Sequence, residues 1–286
     1  MKILIFGSQG NIGKDITKNL KKKFDVYEVD KFKQGKLSKN KLSIDLSKKK
    51  IKKEKITSNI NSAILLSFYK SQPPQFNTEK PEKFMHKNKN ILKNCLEICK
   101  INSCKTIIYF SSAAVYSQNN TKKKITEKFT ISESNIYSRF KIYAESRIHS
   151  YAKENKKKAI ILRLFNIFNN SGNSLTEQLK KSYELNKKIK IIGNGKQKRD
   201  FLHTSDISDL LTKIVKKKEK KSLTLNLCSG HKIEINQILT KLKIPKSKID
   251  YDNKNNTNFF LVGNRKKISQ LFNWKPKYHF IKTIFN

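Results

Sequence analysis

The stretch Lys2-Ile3-Leu4-Ile5-Phe6-Gly7-Ser8-Gln9-Gly10-Asn11-Ile12-Gly13 decides the fold. It begins with a short apolar run, which is typical of a buried parallel strand, and continues directly into the glycine pattern G-x-x-G-x-x-G. A helical pattern over 12–22 and a second strand pattern at 26–29 follow. The sequence therefore predicts a βαβ unit with a glycine-rich turn between its first strand and its helix.

The same alternation continues along the chain. Apolar strand patterns recur at 63–66, 106–110 and 159–164, with helical patterns between them, including one over 81–100. This order predicts an α/β fold, a Rossmann-type doubly wound parallel sheet with helices on both faces. Beyond Asn166 the segments become shorter and richer in Asn, Gly and Lys. We therefore expect a Rossmann domain over 1–165 and a smaller C-terminal lobe over 166–286, with segments around 200–230 returning to the sheet.

The charge is strongly basic. The 286 residues include 63 Lys+Arg against 22 Asp+Glu, a formal net charge of +41. Two explanations stay open: solvated Lys residues that reflect an A/T-rich genome, or a surface for polyanions. Most of the basic residues are Lys, whereas Arg makes the commonest specific base contact, so we expect no specific nucleic-acid partner.

Hydropathy and cysteine content bound the remaining classes. No apolar run approaches the roughly 20 residues of a membrane span, and the N-terminal apolar run is too short for a signal peptide. We expect a cytoplasmic protein with no membrane partner. The cysteines Cys95, Cys99, Cys104 and Cys228 match no metal-ligand spacing, which predicts buried reduced thiols and no metal site.

The glycine loop predicts a dinucleotide site. Its glycines permit a tight turn and let the backbone approach a pyrophosphate at a helix N-terminus. Asp30 ends the next strand, at the distance expected of an acid that binds the cofactor ribose. Such an acid favours NAD over NADP, although Lys31 and Lys33 weaken that preference. The alternative is an ordinary strand–turn–helix with a solvated Asp.

Two further features bear on catalysis. The stretch 111–116, Ser-Ser-Ala-Ala-Val-Tyr, follows a predicted strand at the edge where doubly wound sheets bind ligands. Tyr137 and Lys141 are four residues apart and share a helix face. A neighbouring ammonium favours the phenolate and lowers the pKa of the phenol. By themselves the two residues could equally be an exposed pair.

Taken in order, these features resemble the extended short-chain dehydrogenase/reductase family, in particular its NAD-dependent epimerase/dehydratase branch acting on nucleotide sugars. Later stretches continue the resemblance over nearly the whole chain: Arg163-Leu164-Phe165-Asn166, the pattern G-x-G-x-x-x-R-D-F-x-H at 193–203, and the segments 226–230 and 271–276. The resemblance implies NAD as cofactor. The cofactor-binding residues that it implies are Gly7, Gln9, Gly10, Asn11, Ile12, Gly13, Asp30, Asp45, Leu46, Leu66, Ser67, Asn88, Tyr137, Lys141 and Phe165.

The resemblance also implies roles in catalysis. Tyr137 would remove the proton from a sugar hydroxyl, Lys141 would hold the nicotinamide ribose and tune Tyr137, and Ser112 would hydrogen-bond the same hydroxyl. Asn166 and Arg199 would bind the sugar nucleotide, Arg199 through a phosphate. The domain over 1–165 would then bind NAD, and the lobe over 166–286 would mainly bind substrate.

One departure bears on the reaction. Sugar 4,6-dehydratases of the family carry Asp-Glu where this chain has Ala113-Ala114, so dehydration is disfavoured. We expect an NAD-dependent epimerase that acts on a nucleotide sugar through a transient keto intermediate. An NAD(P)-dependent 4-keto-sugar reductase or dehydrogenase is the alternative within enzymes.

A second departure favours another alternative. Phe68 stands where the family has small residues, and we expect its ring to crowd the adenosine side of the cofactor. Together with the short C-terminal lobe, it motivates a non-catalytic dinucleotide-binding regulator.

The resemblance finally implies a homodimer. The helix that bears Tyr137 would supply a pairing face, unless that face packs on the chain's own sheet. Its candidate residues are Phe140, Tyr143, Ala144 and Ile148.

Overall fold

A computed structural model of the protein describes residues 1–32, 38–52, 56–57, 59–70, 81–116, 123–169, 175–217, 219, 221–252 and 260–285. The strands in these ranges are β1 (Lys2–Phe6), β2 (Asp25–Asp30), β3 (Lys41–Ser43), β4 (Ser62–Leu65), β5 (Thr106–Ser112), β6 (Lys158–Leu164), β7 (Asn166–Phe168), β8 (Ile189–Ile192), β9 (Lys198–Arg199), β10 (Phe201–His203), β11 (Leu223–Leu227), β12 (Ile233–Glu234), β13 (Ile249–Asp252) and β14 (Phe260–Leu261). The helices are α1 (Asn11–Leu20), α2 (Pro81–Ile101), α3 (Ile136–Glu154), α4 (Leu175–Glu184), α5 (Thr204–Lys217), α6 (Ile235–Lys241), α7 (Lys266–Phe272) and α8 (Phe280–Phe285).

The central sheet has seven strands in the order β11-β6-β5-β4-β1-β2-β3. Strand β1 pairs in parallel with β2 on one side and with β4 on the other. Ile3 to Phe6 are fully buried, which explains why β1 reads as a continuous apolar run rather than an alternating one. The predicted α/β fold with a doubly wound parallel sheet is confirmed.

The predicted strands and helices of the first half lie within two residues of the observed ones. Two strands of the sheet had no predicted strand pattern, β3 and β11, although segments around 200–230 were expected to return to the sheet. Strand β3 spans only Lys41–Ser43, and its residues are half-buried or exposed, so it carries no apolar signal. Strand β11 alternates Leu with polar residues and is recognised only through its place beside β6.

Helix α3 begins at a capping box. The Asn135 side chain accepts a hydrogen bond from the Ser138 backbone N–H at 2.9 Å, and the Ser138 hydroxyl accepts one from the Asn135 N–H at 3.0 Å. Such reciprocal bonds satisfy N–H groups that the first helical turn leaves unpaired. They fix the start of α3 immediately before Tyr137.

The inner face of α3 packs on the chain's own core. Phe140, Ala144 and Ile148 are buried there together with residues of β1, β4, β5 and α2. These residues were candidates for a dimer face, and that assignment is wrong for all three because they are already covered within the protomer. Tyr143 is half-buried.

The chain divides into two compact units. The first comprises 1–117, 130–163 and 208–225, and the second comprises 118–129, 164–207 and 226–286. The first unit contains most of the central sheet. The second has its own apolar core, which includes Phe168, Phe201, Ile238 and Phe280.

All four cysteines are free and buried, which confirms the prediction of reduced core thiols. Burial raises the pKa of the Cys95 thiol well above its usual range. Across the described residues, no group of His, Cys, Asp and Glu side chains could hold a metal ion. No helix in those same ranges has the length and apolar character needed to cross a membrane.

Candidate functional site

The glycine loop follows β1 and leads into α1. Gly7 has φ +83°, the left-handed region, and a Cβ there would lie 2.6 Å from the Ser67 backbone nitrogen. A Cβ on Gly13 would lie 2.0 Å from the Gly7 carbonyl oxygen, so α1 can approach the loop only without a side chain there. A Cβ on Gly10 would meet nothing closer than 3.4 Å. The loop is therefore tight on its inner side and open at Gly10.

The open side of the loop suits a pyrophosphate. Gly10 is the N-cap of α1 and supplies no side-chain hydrogen bond to the N–H groups of the first turn. The Ser8 hydroxyl is fully buried and has no hydrogen-bond partner among the described residues. Uncapped N–H groups at a helix start attract anions, so this loop fits the phosphates of a dinucleotide. Gln9, Asn11 and Ile12 belong to the same turn.

Asp30 is joined to this loop. Its carboxylate accepts hydrogen bonds at 2.7 Å from the backbone N–H of Gln9 and at 2.7 Å from that of Lys31. The carboxylate is half-exposed beside the loop, the place expected of an acid that accepts from ribose hydroxyls.

Lys31 points to a different acid. Its ammonium pairs with Asp45 at 2.7 Å. Burial acts to raise the pKa of Asp45, but hydrogen bonds from Lys31 and Ser47 lower it to about 2. Lys31 is thus engaged by a carboxylate, which strengthens the preference for NAD over NADP. Lys33 lies outside the described residues, and Leu46 is buried beside Asp45.

The segment after β4 is held by Asn88. The Tyr69 backbone N–H donates to the Asn88 side chain at 2.9 Å, and the Asn88 amide donates to the carbonyls of Tyr69 and Phe84 at 3.1 and 3.0 Å. Asn88 is buried, and its side-chain amide makes these hydrogen bonds. It therefore holds the backbone of the segment that follows Leu66 and Ser67.

The catalytic candidates meet at the end of β5. Ser112 lies near enough to the Tyr137 hydroxyl to affect its pKa. Burial raises the pKa of Tyr137, although the Ser112 side chain acts to lower it. Ser112 also accepts from the Ala114 backbone N–H at 3.2 Å, which fixes its hydroxyl at the start of the turn. A substrate hydroxyl placed against this pair would meet one group able to take its proton and another able to hold its oxygen.

Lys141 lies one helical turn beyond Tyr137. It is 6% exposed, and its ammonium donates to the Phe110 carbonyl at 2.8 Å. The rings of Phe68, Tyr109 and Tyr137 surround the ammonium at 4.8, 4.8 and 5.7 Å. Burial lowers the pKa of Lys141 to about 7, although the Glu145 carboxylate acts to raise it.

Sequence reasoning missed Glu145. It is buried one turn beyond Lys141 and binds the Arg163 guanidinium at 2.8 Å. The Ser111 hydroxyl donates to the same carboxylate at 2.5 Å. Its spacing of four residues from Lys141 was a readable signal, whereas its partner on β6 depends on the order of the strands.

The structure also places Phe68 differently from the sequence expectation. Its ring packs edge-on against Tyr137 at 5.4 Å between centroids and lies over the Lys141 ammonium. The family resemblance assigns Tyr137 and Lys141 to the nicotinamide end of the cofactor. Phe68 therefore crowds Tyr137 and Lys141 rather than the adenosine side that the sequence predicted.

The second unit contains the remaining candidates. Asp200 is fully buried and accepts hydrogen bonds from the backbone N–H groups of Ser229, Gly230 and Gly263 at 2.8, 2.9 and 3.2 Å. Burial raises the pKa of Asp200, and these bonds lower it. Asp200 thereby ties three segments of this unit together beside Arg199, and no sequence pattern had assigned it a role.

Three of the predicted site residues lie near Asp200 in the second unit: Arg199, Asn166 and Phe165. Burial lowers the pKa of Arg199 to about 10. Asn166 donates its backbone N–H and its side-chain amide to the Asp200 carbonyl at 3.1 and 3.2 Å. Phe165 is buried, with its ring edge 2.9 Å from where a Cβ on Gly263 would lie.

The fold and these residues define a family. The chain belongs to the NAD dependent epimerase/dehydratase family, whose sequence model matches residues 3–228. NAD is its cofactor, in agreement with the glycine loop and Asp30.

Particular relatives are distant. The chain is 24% identical over 263 residues to the Bacillus subtilis (strain 168) protein described as "Uncharacterized UDP-glucose epimerase YtcB", covering 85% of this chain and 81% of that protein. MoeE5, solved in complex with UDP-glucose and NAD, has a TM-score of 0.83 at 17% identity, covering 99% of this chain and 95% of that one. UDP-glucuronic acid 4-epimerase from Bacillus cereus, solved with UDP-glucuronic acid and NAD, has a TM-score of 0.79 at 20% identity, covering 99% and 96%.

Proposed function

We propose that the protein is an NAD-dependent epimerase of a nucleotide sugar. The placement of Ser112 near the Tyr137 hydroxyl, with the Lys141 ammonium 5.7 Å from the Tyr137 ring, carries this proposal. Where the family's dehydratases have an Asp-Glu pair, this chain has Ala113-Ala114, whose methyl groups provide neither the acid nor the base that loss of water requires. Epimerisation needs only the residues that are present.

The residues act in a definite order. The Lys141 ammonium and the positively charged nicotinamide would favour the Tyr137 phenolate against the effect of burial, so that Tyr137 accepts the proton of a sugar hydroxyl. Ser112 would donate a hydrogen bond to the same oxygen and stabilise it as it becomes a carbonyl. NAD, held by the glycine loop, Asp30 and Lys141, would accept a hydride from the carbon that bears this oxygen and later give it back. Tyr137 would return the proton to the same oxygen after the keto sugar has turned its other face, so no further oxidant or reductant is needed.

A nucleotide sugar is the proposed substrate class. Arg199 is half-buried, its guanidinium is a donor suited to a phosphate, and Asn166 on β7 bonds the carbonyl of the next residue, Asp200. Complexes of structural neighbours with UDP-glucose and UDP-glucuronic acid support this class. We place NAD on 1–165 and the sugar nucleotide mainly on 166–286.

The test is a substrate panel. NAD-loaded protein is given UDP-, GDP-, dTDP- and ADP-sugars one at a time, with absorbance followed at 340 nm and product stereochemistry read by NMR. A new epimer with transient or no NADH supports the proposal. Stoichiometric NADH without an epimer contradicts it and favours the reductase or dehydrogenase. Silence across the panel, with NAD binding confirmed, favours the regulator, which the position of Phe68 over Lys141 supports.

Replacing Tyr137 by Phe tests the proton acceptor. We expect at least a 10³-fold loss of turnover, because the base is removed while the ring contacts remain. NAD affinity, measured by calorimetry, should stay within about threefold of the native value. Tyr143→Phe on the same helix is the matched control and should leave turnover unchanged. Turnover that survives in Tyr137→Phe would exclude Tyr137 as the base.

We also propose a homodimer that pairs through the outer faces of α2 and α3. Lys93 on α2 and Arg147 on α3 are exposed there, and Tyr143 is half-buried with Lys89 4.9 Å from its ring. The basic side chains predict that pairing strengthens with salt. Light scattering that shows only monomer at micromolar concentration, in both low and high salt, would contradict the dimer.

A further inference from the structure

Phe68 occupies an unusual place in the molecule. Its ring touches Tyr137, Phe84 and Phe140, with centroids at 5.4, 5.6 and 5.8 Å. The next residue, Tyr69, is clamped by Asn88 through both its N–H and its carbonyl. The backbone beside Phe68 is therefore fixed, and the Phe68 ring points towards Tyr137 and Lys141.

The same ring covers Lys141. The ammonium lies 4.8 Å from the Phe68 centroid, and Lys141 keeps only 6% of its surface exposed. Its one hydrogen-bond acceptor among the described residues is the Phe110 carbonyl. An ammonium has three donors, and the surrounding rings attract the charge without accepting ordinary hydrogen bonds. Lys141 is therefore under-solvated as long as Phe68 remains in place.

We propose that Phe68 is a positioning residue that shields the Lys141 ammonium from water and competes with the cofactor ribose for it. This inference rests on the proposed role of Lys141 in holding the ribose. Ribose hydroxyls can reach the ammonium only when the ring moves aside, so the closed position of Phe68 lowers the apparent affinity for NAD. Movement of the Phe68 ring away from Lys141 also lets water reach the ammonium and favours its protonated form at neutral pH.

The other titratable groups near Lys141 lie on β5, α3, β6 and α2. Tyr109 faces it from β5, Tyr137 and Glu145 lie on α3 itself, and Arg163 on β6 is held by Glu145. From α2, Cys95 approaches Tyr109. Burial lowers the pKa of Lys141, whereas Glu145 raises it, so a change that admits water shifts the proton affinity upward.

The first measurement uses the NAD-free protein. Lysine labelled with ¹³C at the ε carbon gives one NMR signal that titrates near neutral pH, whereas solvated lysines titrate near about 10.4. Lys141→Met identifies that signal by removing it. Phe68→Ala should move the titration upward by at least one pH unit because water enters. Phe68→Leu, the matched control, keeps an apolar cover and should leave it near neutral pH or lower, since the ring's attraction for the cation is lost.

The second measurement is binding by calorimetry. Relative to ADP, which lacks the nicotinamide ribose, NAD should bind Phe68→Ala about tenfold more tightly than the native chain if the ring covers Lys141 about nine-tenths of the time. Phe68→Leu should stay near the native ratio. A lysine titration that the alanine substitution does not move overturns the proposal, and so does a ratio of NAD to ADP affinity that does not rise. Neither readout needs turnover, so failure of the epimerase proposal is seen separately in the substrate panel.

Discussion

Lys141 and Arg163 are buried cations that lie close to Glu145, and the chain holds them in opposite ways. Arg163 donates to both oxygens of Glu145 and lies 5.0 Å from the Tyr116 ring, so although burial acts to lower its pKa, Glu145 holds it above its usual range. Lys141 receives one carbonyl and three rings, and burial lowers its pKa to about 7. Arg163 is neutralised by a carboxylate, whereas the proposed catalytic cation Lys141 donates to a backbone carbonyl and is covered by aromatic rings.

The largest expected effect separates these roles directly. Lys141→Met should lower turnover about 10³-fold, because the cation that favours the Tyr137 phenolate is removed. The same change should leave the free energy of unfolding unchanged or raise it by up to about 3 kcal/mol, since a buried charge is replaced by an apolar chain of similar length. Activity assays and urea unfolding at pH 7 measure the two quantities. A protein that loses stability together with activity would show that Lys141 is structural after all.

Removing the carboxylate that pairs with Arg163 should lower the stability of the protein. Glu145→Ala leaves Arg163 buried without its carboxylate and should lower the free energy of unfolding by about 3–5 kcal/mol. Glu133→Ala is the matched control, because its pair with Arg139 is exposed and should contribute at most about 1 kcal/mol.

The double variant Glu145→Leu/Arg163→Met sharpens this result. It removes both charges at once, so it should be less destabilised than Glu145→Ala. Equal losses of unfolding free energy in Glu145→Ala and Glu133→Ala, measured by urea unfolding, would show that the buried Glu145–Arg163 pair stabilises the fold no more than an exposed pair does.

The smallest effect is the dependence of stability on pH. The pKa of Lys141 falls from 10.5 to about 7 on folding, so between these values the unfolded chain holds a proton that the folded protein has lost. Stability then rises with pH, by at most about 1.4 kcal/mol per unit, and the stabilisation from Lys141→Met shrinks accordingly. Urea unfolding of the native chain and the variant at pH 6, 7, 8 and 9 follows this difference. A difference that stays constant over this range would place the pKa of Lys141 outside it.

Much of the first unit could be predicted because its signals are local. The glycine loop, Asp30 and the Tyr137–Lys141 spacing each lie within a short stretch, and the structure places Asp30 on the loop and Lys141 one turn from Tyr137. Cys95 and Cys99 lie in the helical stretch that the sequence predicts, and both are buried.

The missed features depend on contacts between distant segments. Glu145 has its meaning only because β6 brings Arg163 beside α3, and Asp200 only because Ser229 and Gly263 converge on it. Phe68 was noticed as a departure, but the direction of its ring is set by packing against α2 and α3. Short half-exposed strands such as β3 carry no periodic signal at all.

The measurement that tests the central claim most directly follows the hydride. Once the panel has identified a nucleotide sugar, the protein is given that sugar with deuterium on the carbon that inverts, and the epimer is analysed by NMR and mass spectrometry. The account predicts that the epimer keeps the deuterium on that carbon, because the hydride leaves and returns within one active site. An epimer that carries hydrogen from solvent there would contradict oxidation and return of the hydride, and with it the proposed roles of Tyr137 and NAD.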